Sequence, residues 1–157
     1  MKRKLFLLIL IIFFTTSFIS IGECNNQTTT KQSSVSEEKI KENYGLQERC
    51  GNKSEEYFKK EHGNGVYEDE IFTRLSNYYN HYNKKMNKCF VIESQDSFTK
   101  NSKYKNGKLK VIIDVNENKI YGVFLKNGTE IMKCSVSGKE CYLEEEWDSL
   151  VKPYMEE

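Results

Sequence analysis

The side chains best suited to chemistry lie between Asn77 and Ser94, where one histidine and one cysteine stand among tyrosines and asparagines. His81 and Cys89 are residue types that can form a nucleophile and its base. No further motif supports such a pair, and a cysteine in an exported chain usually forms a disulfide. We therefore predict no catalytic residue, with a hydrolase that uses His81 and a carboxylate as an alternative.

Three tyrosines surround the histidine of this stretch. Tyrosine and asparagine together form adaptable contact surfaces, because the rigid ring carries a polar end. We interpret Tyr78, Tyr79, His81 and Tyr82 as a binding surface. Packing of the same tyrosines into an ordinary core is the competing interpretation.

Metal and cofactor motifs are incomplete in this sequence. Residues 114–118 imitate the start of an EF-hand loop, but Lys119 replaces the required glycine and Leu125 the required glutamate. Residues 137–139 resemble the end of a phosphate-binding loop that lacks its upstream glycine. No two cysteines have zinc-finger spacing. We predict no metal and no cofactor.

The chain has five cysteines, which in an oxidising compartment are disulfide candidates before they are metal ligands. Four of them allow three pairings. We favour Cys50–Cys89 and Cys134–Cys141, the second because it encloses a short loop that can turn back on itself. The odd cysteine, Cys24, is then a candidate for lipidation.

The N-terminus has the order of an export signal. Basic residues at 2–4 precede an unbroken apolar run at 5–14 and a stretch with small residues, so we predict a signal peptide at 1–22. Cys24 follows where a bacterial lipoprotein carries its lipid, although Glu23 departs from the small residue expected there. Secretion, periplasmic release, lipid anchoring and an uncleaved anchor are the alternatives.

Charge argues against nucleic acid as a partner. The chain has 24 basic and 23 acidic residues, and loss of Lys2, Arg3 and Lys4 leaves 21 against 23. Nucleic-acid binding requires a basic stripe that displaces counterions. We expect a protein or envelope component as the partner.

Residues 23–48 are polar and predict a disordered tether, with a weak helix expected at 37–49 and interrupted at Gly45, whereas residues 49–157 predict one folded domain. Its first helix is expected to begin at Ser54, a hydroxyl cap followed by acidic residues, and to end at residues 62–65.

Two periodicities conflict between Ile71 and Met86, where apolar residues have helical spacing but asparagine and tyrosine disfavour a helix. We favour a hairpin, with a strand through Tyr82, a turn at 83–87 and a return strand at 88–94.

A polar loop is predicted at 95–107, followed by strands at 109–115, 119–126 and 129–136. Asn-Gly at 127–128 is a strong hairpin signal. A C-terminal amphipathic helix at 143–155 should cover the sheet with Leu143, Trp147, Leu150 and Val151, and Pro153 should end or kink it. The fold class is therefore α+β: an antiparallel meander with a short N-terminal helix and a C-terminal helix, joined by disulfides.

The strings at 81–90, 134–141 and 146–155 resemble a group of small exported bacterial proteins of uncharacterised function. This resemblance implies a bacterial, exported, cysteine-bridged α+β domain and implies no activity. The function expected is a non-enzymatic binding module of the cell envelope. A secreted inhibitor or immunity-type protein is a further alternative.

Overall fold

The computed structural model describes residues 27–101 and 103–156, with side chains described from residue 37 onward. Contacts group Lys39–Glu157 into one compact unit. The described elements, in chain order, are α1 (Gln27–His62), β1 (Val66–Glu68), β2 (Phe72–Asn83), β3 (Lys88–Thr99), β4 (Gly107–Asp114), β5 (Lys119–Asn127), β6 (Glu130–Val136), β7 (Lys139–Glu140) and α2 (Glu144–Met155). The strands form one sheet in the order β1 to β7, each antiparallel to the next, which confirms the predicted α+β meander.

The hairpin predicted around residue 82 is formed by β2 and β3. Tyr82 lies opposite Cys89, and the intervening turn ends at Asn87 in the left-handed region, with φ of 53°. The return strand continues to Thr99, so the first part of the loop predicted at 95–107 is strand. Its polar residues pair with β2 through main-chain hydrogen bonds, which do not depend on side-chain polarity.

Successive residues of β3 point to opposite faces of the sheet, and each face is covered by one helix. Cys89 and Val91 belong to a buried cluster on which the α1 residues Leu46 and Tyr57 pack. Phe90 belongs to a second cluster. That cluster also contains Ile112, Phe124, Cys134, Val136, Cys141 and the α2 residues Trp147, Val151 and Met155. The predicted cover of one sheet face by Trp147 is confirmed.

Helix α1 is longer than the predicted N-terminal helix. It includes residues 27–48, where the sequence predicts a disordered tether, and Ser54 lies inside it rather than capping it. The Ser54 hydroxyl donates to the Cys50 carbonyl oxygen at 2.6 Å. Glutamate and lysine near residue 40 favour helix, and burial of Leu46 and Cys50 on the sheet offsets the ordering entropy. The predicted end is correct, because Gly63 adopts φ of 60° and donates to the Lys59 carbonyl oxygen.

Helix α2 buries Trp147, Val151 and Met155 at four-residue spacing. Leu143, predicted on the same face, precedes the helix and is 55% exposed. Pro153 lies inside the helix, which continues for two more residues. A proline lacks its own N–H donor and crowds the carbonyl group four residues earlier, but the N–H groups that follow it can still donate. The N–H of Glu156 reaches the Lys152 carbonyl oxygen at 2.9 Å.

Both predicted disulfides are formed. Cys50–Cys89 ties α1 to the first residues of β3 across 39 positions of sequence. Cys134–Cys141 ties β6 to the segment that leads into α2 across seven positions. Each bond therefore attaches one helix, or the entry to it, to the sheet.

The two bonds should contribute unequally to stability. Because the chain entropy removed by a cross-link grows with loop length, replacing Cys50 and Cys89 by alanine should cost about 4 kcal/mol, and replacing Cys134 and Cys141 about 2.4 kcal/mol. Urea unfolding of the two double variants and of the oxidised parent gives the loss of unfolding free energy for each disulfide, and so shows which loss is larger. A larger loss in the Cys134/Cys141 variant would contradict it.

Candidate functional site

A pocket of about 400 Å³ lies over the Cys50–Cys89 disulfide. Helix α1 forms one wall, and the turns before β3 and after β4 contribute Asn87 and Asn116. Its lining residues are Leu46, Arg49, Cys50, Lys53, Tyr82, Asn87, Cys89 and Asn116. The pocket thus joins three chain segments that are distant in sequence and that the disulfide holds together.

The wall formed by α1 is fixed by more than the covalent bond. Gln47 accepts a hydrogen bond from the Tyr82 main-chain N–H at 2.9 Å and donates to the Asn80 side chain at 3.3 Å. The outer edge of β2 is therefore covered here by a side chain of the helix. Cys50 and Cys89 are nearly fully buried, and both are among the residues that line the pocket.

Two cationic side chains reach the pocket from α1. Arg49 and Lys53 are four residues apart and so lie on the same side of the helix. The Lys53 ammonium donates to Asn116 Oδ1 at 3.0 Å. Arg49 Nε donates to the Gly45 carbonyl oxygen at 3.2 Å, which leaves the two terminal guanidinium nitrogens as donors. No carboxylate is among the described residues that line the pocket.

The two asparagines add donors to the same pocket. The Tyr82 hydroxyl donates to Asn87 Oδ1 at 2.6 Å, and Lys53 donates to Asn116 Oδ1. Both amide oxygens therefore act as acceptors within the protein, and each Nδ2 group remains a donor. With Arg49 and Lys53, the described residues that line the pocket offer donors and positive charge but no anion.

The nearest buried carboxylate, Asp114, already has its own partners. Its Oδ2 accepts from the Lys88 ammonium at 2.7 Å, and its Oδ1 accepts from the Asn116 main-chain N–H at 3.0 Å. Hydrogen bonds from Lys88 to Asp114, and then to Glu117, raise the pKa of Lys88. Asp114 therefore fixes the turn that carries Asn116, and Lys88 neutralises its charge.

The four residues predicted as a binding surface are divided between the two sheet faces, because β2 alternates with period two. Tyr78 and Tyr82 lie on the α1 face, where the Tyr78 ring packs on Phe58 at 4.7 Å between centroids. Tyr79 and His81 lie on the other face, and Tyr79 is 61% exposed. Tyr82 is the member of this group that lines the pocket.

His81 carries the hydrolase alternative, and its Nε2 atom is buried without a hydrogen-bond partner in the described structure. A general base needs an orienting group on its second nitrogen and a nucleophile in reach. Cys89, the candidate nucleophile next in sequence, is in a disulfide and belongs to the opposite face. These observations favour a packing role for His81.

Sequence reasoning missed Arg49, Lys53, Asn87 and Asn116 as site residues. Each taken alone is an ordinary polar residue of a helix or a turn. The available signal was the position of Arg49 and Lys53 around Cys50 on one helix, combined with the predicted Cys50–Cys89 bond. That bond brings the α1 cations to the turn that contains Asn87.

A second polar cluster, also missed, closes the end of α1 on β3. His62 Nε2 lies 3.0 Å from Glu93 Oε1, and the Gln95 side chain lies 3.5 Å from His62 Nδ1. Burial raises the pKa of the Glu93 carboxyl, and the nearby His62 offsets only part of that increase. The cluster therefore holds a partly buried carboxylate against the end of the helix.

Comparisons with models of known protein families, with curated proteins and with solved structures give no match to this chain. Within the described residues, no group of three or more histidine, cysteine or acidic side chains is arranged to hold a metal ion. In the same part of the chain, no helix has the length and apolar character needed to cross a membrane.

The Glu93 cluster predicts a specific pH dependence. Because the folded pKa of Glu93 lies above its ordinary value of 4.5, the folded state retains a proton that the unfolded chain releases, and stability falls as pH rises through this window. Glu93→Gln removes the ionisable group and with it this pH-dependent loss of stability. The variant's free energy of unfolding relative to the parent should therefore increase as the pH rises above 4.5, the ordinary pKa of the carboxyl group.

Urea unfolding at several pH values measures this difference. Glu56→Gln, an exposed position on the same helix whose charge does not contribute to the raised pKa of Glu93, is the matched control and should show a nearly constant difference. A constant difference for Glu93→Gln as well would show that its pKa is not raised.

Proposed function

We propose that the chain is an exported, non-enzymatic binding module that holds an anionic ligand in the pocket over Cys50–Cys89. The observation that carries the proposal is the convergence of Arg49, Lys53, Asn87 and Asn116 on one pocket whose described lining has no carboxylate. The ligand class is a carboxylate or phosphate group attached to a small body.

The energetics favour an anion over a neutral ligand. A unit charge about 4 Å from a cation gains about 1 kcal/mol in water and about 4 kcal/mol near a protein surface. Two cations and two amide donors add charge-assisted hydrogen bonds of about 1.5–3 kcal/mol each. A neutral ligand could accept hydrogen bonds from these donors but would gain no attraction between opposite charges.

The size of the pocket supports a ligand larger than an inorganic ion. Small-molecule sites typically have volumes of about 300–1,000 Å³, and this pocket has about 400 Å³. Leu46 and the ring of Tyr82 provide apolar surface beside the donors. An anionic group would contact Arg49 and Lys53, and its attached body would contact Leu46 and Tyr82.

The pocket favours binding over catalysis. Its two sulfur atoms are joined in the Cys50–Cys89 disulfide and cannot act as thiolate nucleophiles. Its described lining contains neither a histidine nor a carboxylate that could transfer a proton. The available groups can orient and neutralise an anion.

Export is supported by the two disulfides, since such bonds persist in oxidising compartments. The signal-like N-terminus and the resemblance to small exported bacterial proteins point the same way. The predicted signal peptide at 1–22 and the candidate lipidation at Cys24 lie outside the described residues. The partner in this proposal is an anionic component of the cell envelope.

Titration with phosphate and with acetate, followed by NMR of the ¹⁵N-labelled protein, tests the pocket. The side-chain amide signals of Asn87 and Asn116 should shift in the parent. Arg49→Gln combined with Lys53→Gln should weaken binding at least about tenfold, because two charge-assisted contacts are lost.

The matched control is Lys59→Gln with Lys60→Gln, which removes the same charge from exposed positions of α1 outside the pocket lining. It should bind within about twofold of the parent, since distant surface charges are screened by salt. Equal loss in both double variants, or no shift at Asn87 and Asn116, would refute the anion pocket.

Intact mass of the protein recovered from a bacterial host, expressed with its own N-terminus, tests export. A lipid-bearing chain that begins at Cys24 and contains two disulfides is the result expected for the anchored form. A chain that begins at Glu23 excludes lipidation and supports secretion. A full-length reduced chain would contradict export.

A further inference from the structure

A groove with exposed apolar side chains lies at the β6–β7 edge of the sheet, away from the anion pocket. It has a volume of about 620 Å³, runs along β6 and is lined by Ile131, Met132, Tyr142 and Leu143 among others. Strand β7 pairs only with Ser135 and Val136. Within the described structure, residues 130–133 of β6 therefore have no strand on their outer side, and an extended segment can approach their main chain.

The groove exposes large apolar side chains close together. Tyr142 is 74% exposed, Met132 57% and Leu143 55%. Met132 has no residue opposite it on β5, because the register shifts between the Leu125–Lys133 and Lys126–Ile131 pairs. A contiguous exposed apolar patch beside an open strand is typical of an interaction surface.

The groove is bordered by acidic groups. A neighbouring depression of about 530 Å³ shares Glu140, Cys141 and Tyr142 with it and is also lined by Glu145 and Glu146. Glu146 accepts a hydrogen bond from the Tyr142 main-chain N–H at 2.7 Å. Glu140 and Glu145 form no ion pair in the described part of the chain. Among the described residues that line the first groove, Lys133 is the one cation.

A disulfide fixes the position of the apolar groove relative to the acidic depression. The Cys134–Cys141 bond joins β6 to the residue before Tyr142, and the Cys141 main-chain N–H donates to the Cys134 carbonyl oxygen at 3.1 Å. Tyr142 is therefore a ridge between the apolar groove and the acidic depression. Such preorganisation lowers the entropy that a binding partner must lose.

We propose that this edge binds an extended, basic segment of another protein. The segment lies along residues 130–133, places apolar side chains against Met132, Tyr142 and Leu143, and directs a lysine or arginine toward Glu140 and Glu145. Main-chain contacts to β6 supply affinity. The apolar groove and the acidic depression determine which side chains of the bound segment fit. This surface is separate from the anion pocket and does not depend on it.

A second copy of this chain is a poorer occupant than a basic segment. Symmetric pairing of two β6 edges would bring the same acidic border toward its own copy, and like charges across strands are destabilising. The charge of the border therefore selects a short basic segment.

The probe is a blocked hexapeptide that alternates valine with lysine, and a hexapeptide that alternates valine with glutamate is its charge-reversed counterpart. Blocked ends leave the lysine peptide without a carboxylate that could bind in the anion pocket. NMR titration should shift the main-chain signals of residues 130–133 and of Tyr142 with the lysine peptide and leave them in place with the glutamate peptide.

Glu140→Gln with Glu145→Gln should weaken binding of the lysine peptide at least about tenfold, and Tyr142→Ser should weaken it independently. Glu55→Gln with Glu61→Gln removes the same charge from α1 and should leave the affinity unchanged. Both double variants alter exposed side chains, so circular dichroism should match the parent.

Three results would overturn the proposal. They are shifts confined to other surfaces, equal loss of affinity in the α1 control, and a concentration-dependent dimer whose interface signals are those of residues 130–133. Failure here leaves the phosphate and acetate titration unaffected, because that titration reports on different residues.

Discussion

Consecutive side chains of β3 point to opposite faces of the sheet, and the rest of the structure depends on this alternation. Phe90 and Val91 are both fully buried, one on each side of the sheet. Cys89 shares the face of Val91 and can therefore reach Cys50 on α1. A shift of one residue in register would exchange the faces, separate the two sulfur atoms and place an aromatic ring under α1. Both helices therefore depend on the register of this one strand.

Much of the fold follows from local sequence patterns. The hairpin at Asn127, the turn after Asp114 and the amphipathic helix around Trp147 have strong short-range signals, and they occur where predicted. The N-terminal helix was harder to predict, because residues 37–49 alone bury little. Their helical state depends on docking of Leu46 and Cys50 on a sheet whose strands come later in the chain. Tertiary packing therefore decides a segment whose composition favours disorder.

The candidate site was less predictable than the fold for a related reason. Histidine, cysteine and tyrosine attract attention in a sequence, but period-two geometry places Tyr79 and Tyr82 on opposite faces. The pocket is built instead from ordinary residues, Arg49 and Asn116 among them, that meet through long-range contacts. The disulfide pairing was predictable from cysteine count and spacing, and it identified the place where these segments meet.

The order of the strands has a consequence for folding kinetics. Every strand pairs with its neighbour in sequence, so the sheet can grow by successive hairpins with short loop closures and a low contact order. The helices are the exceptions, and α2 makes the longer-range contacts of the two. The buried side chain of Asn83 donates to the main-chain oxygens of Pro153 and Tyr154, which lie 70 and 71 residues further along the chain. Closure of the second core therefore waits for the last helix, and most of the sheet can assemble before that helix docks.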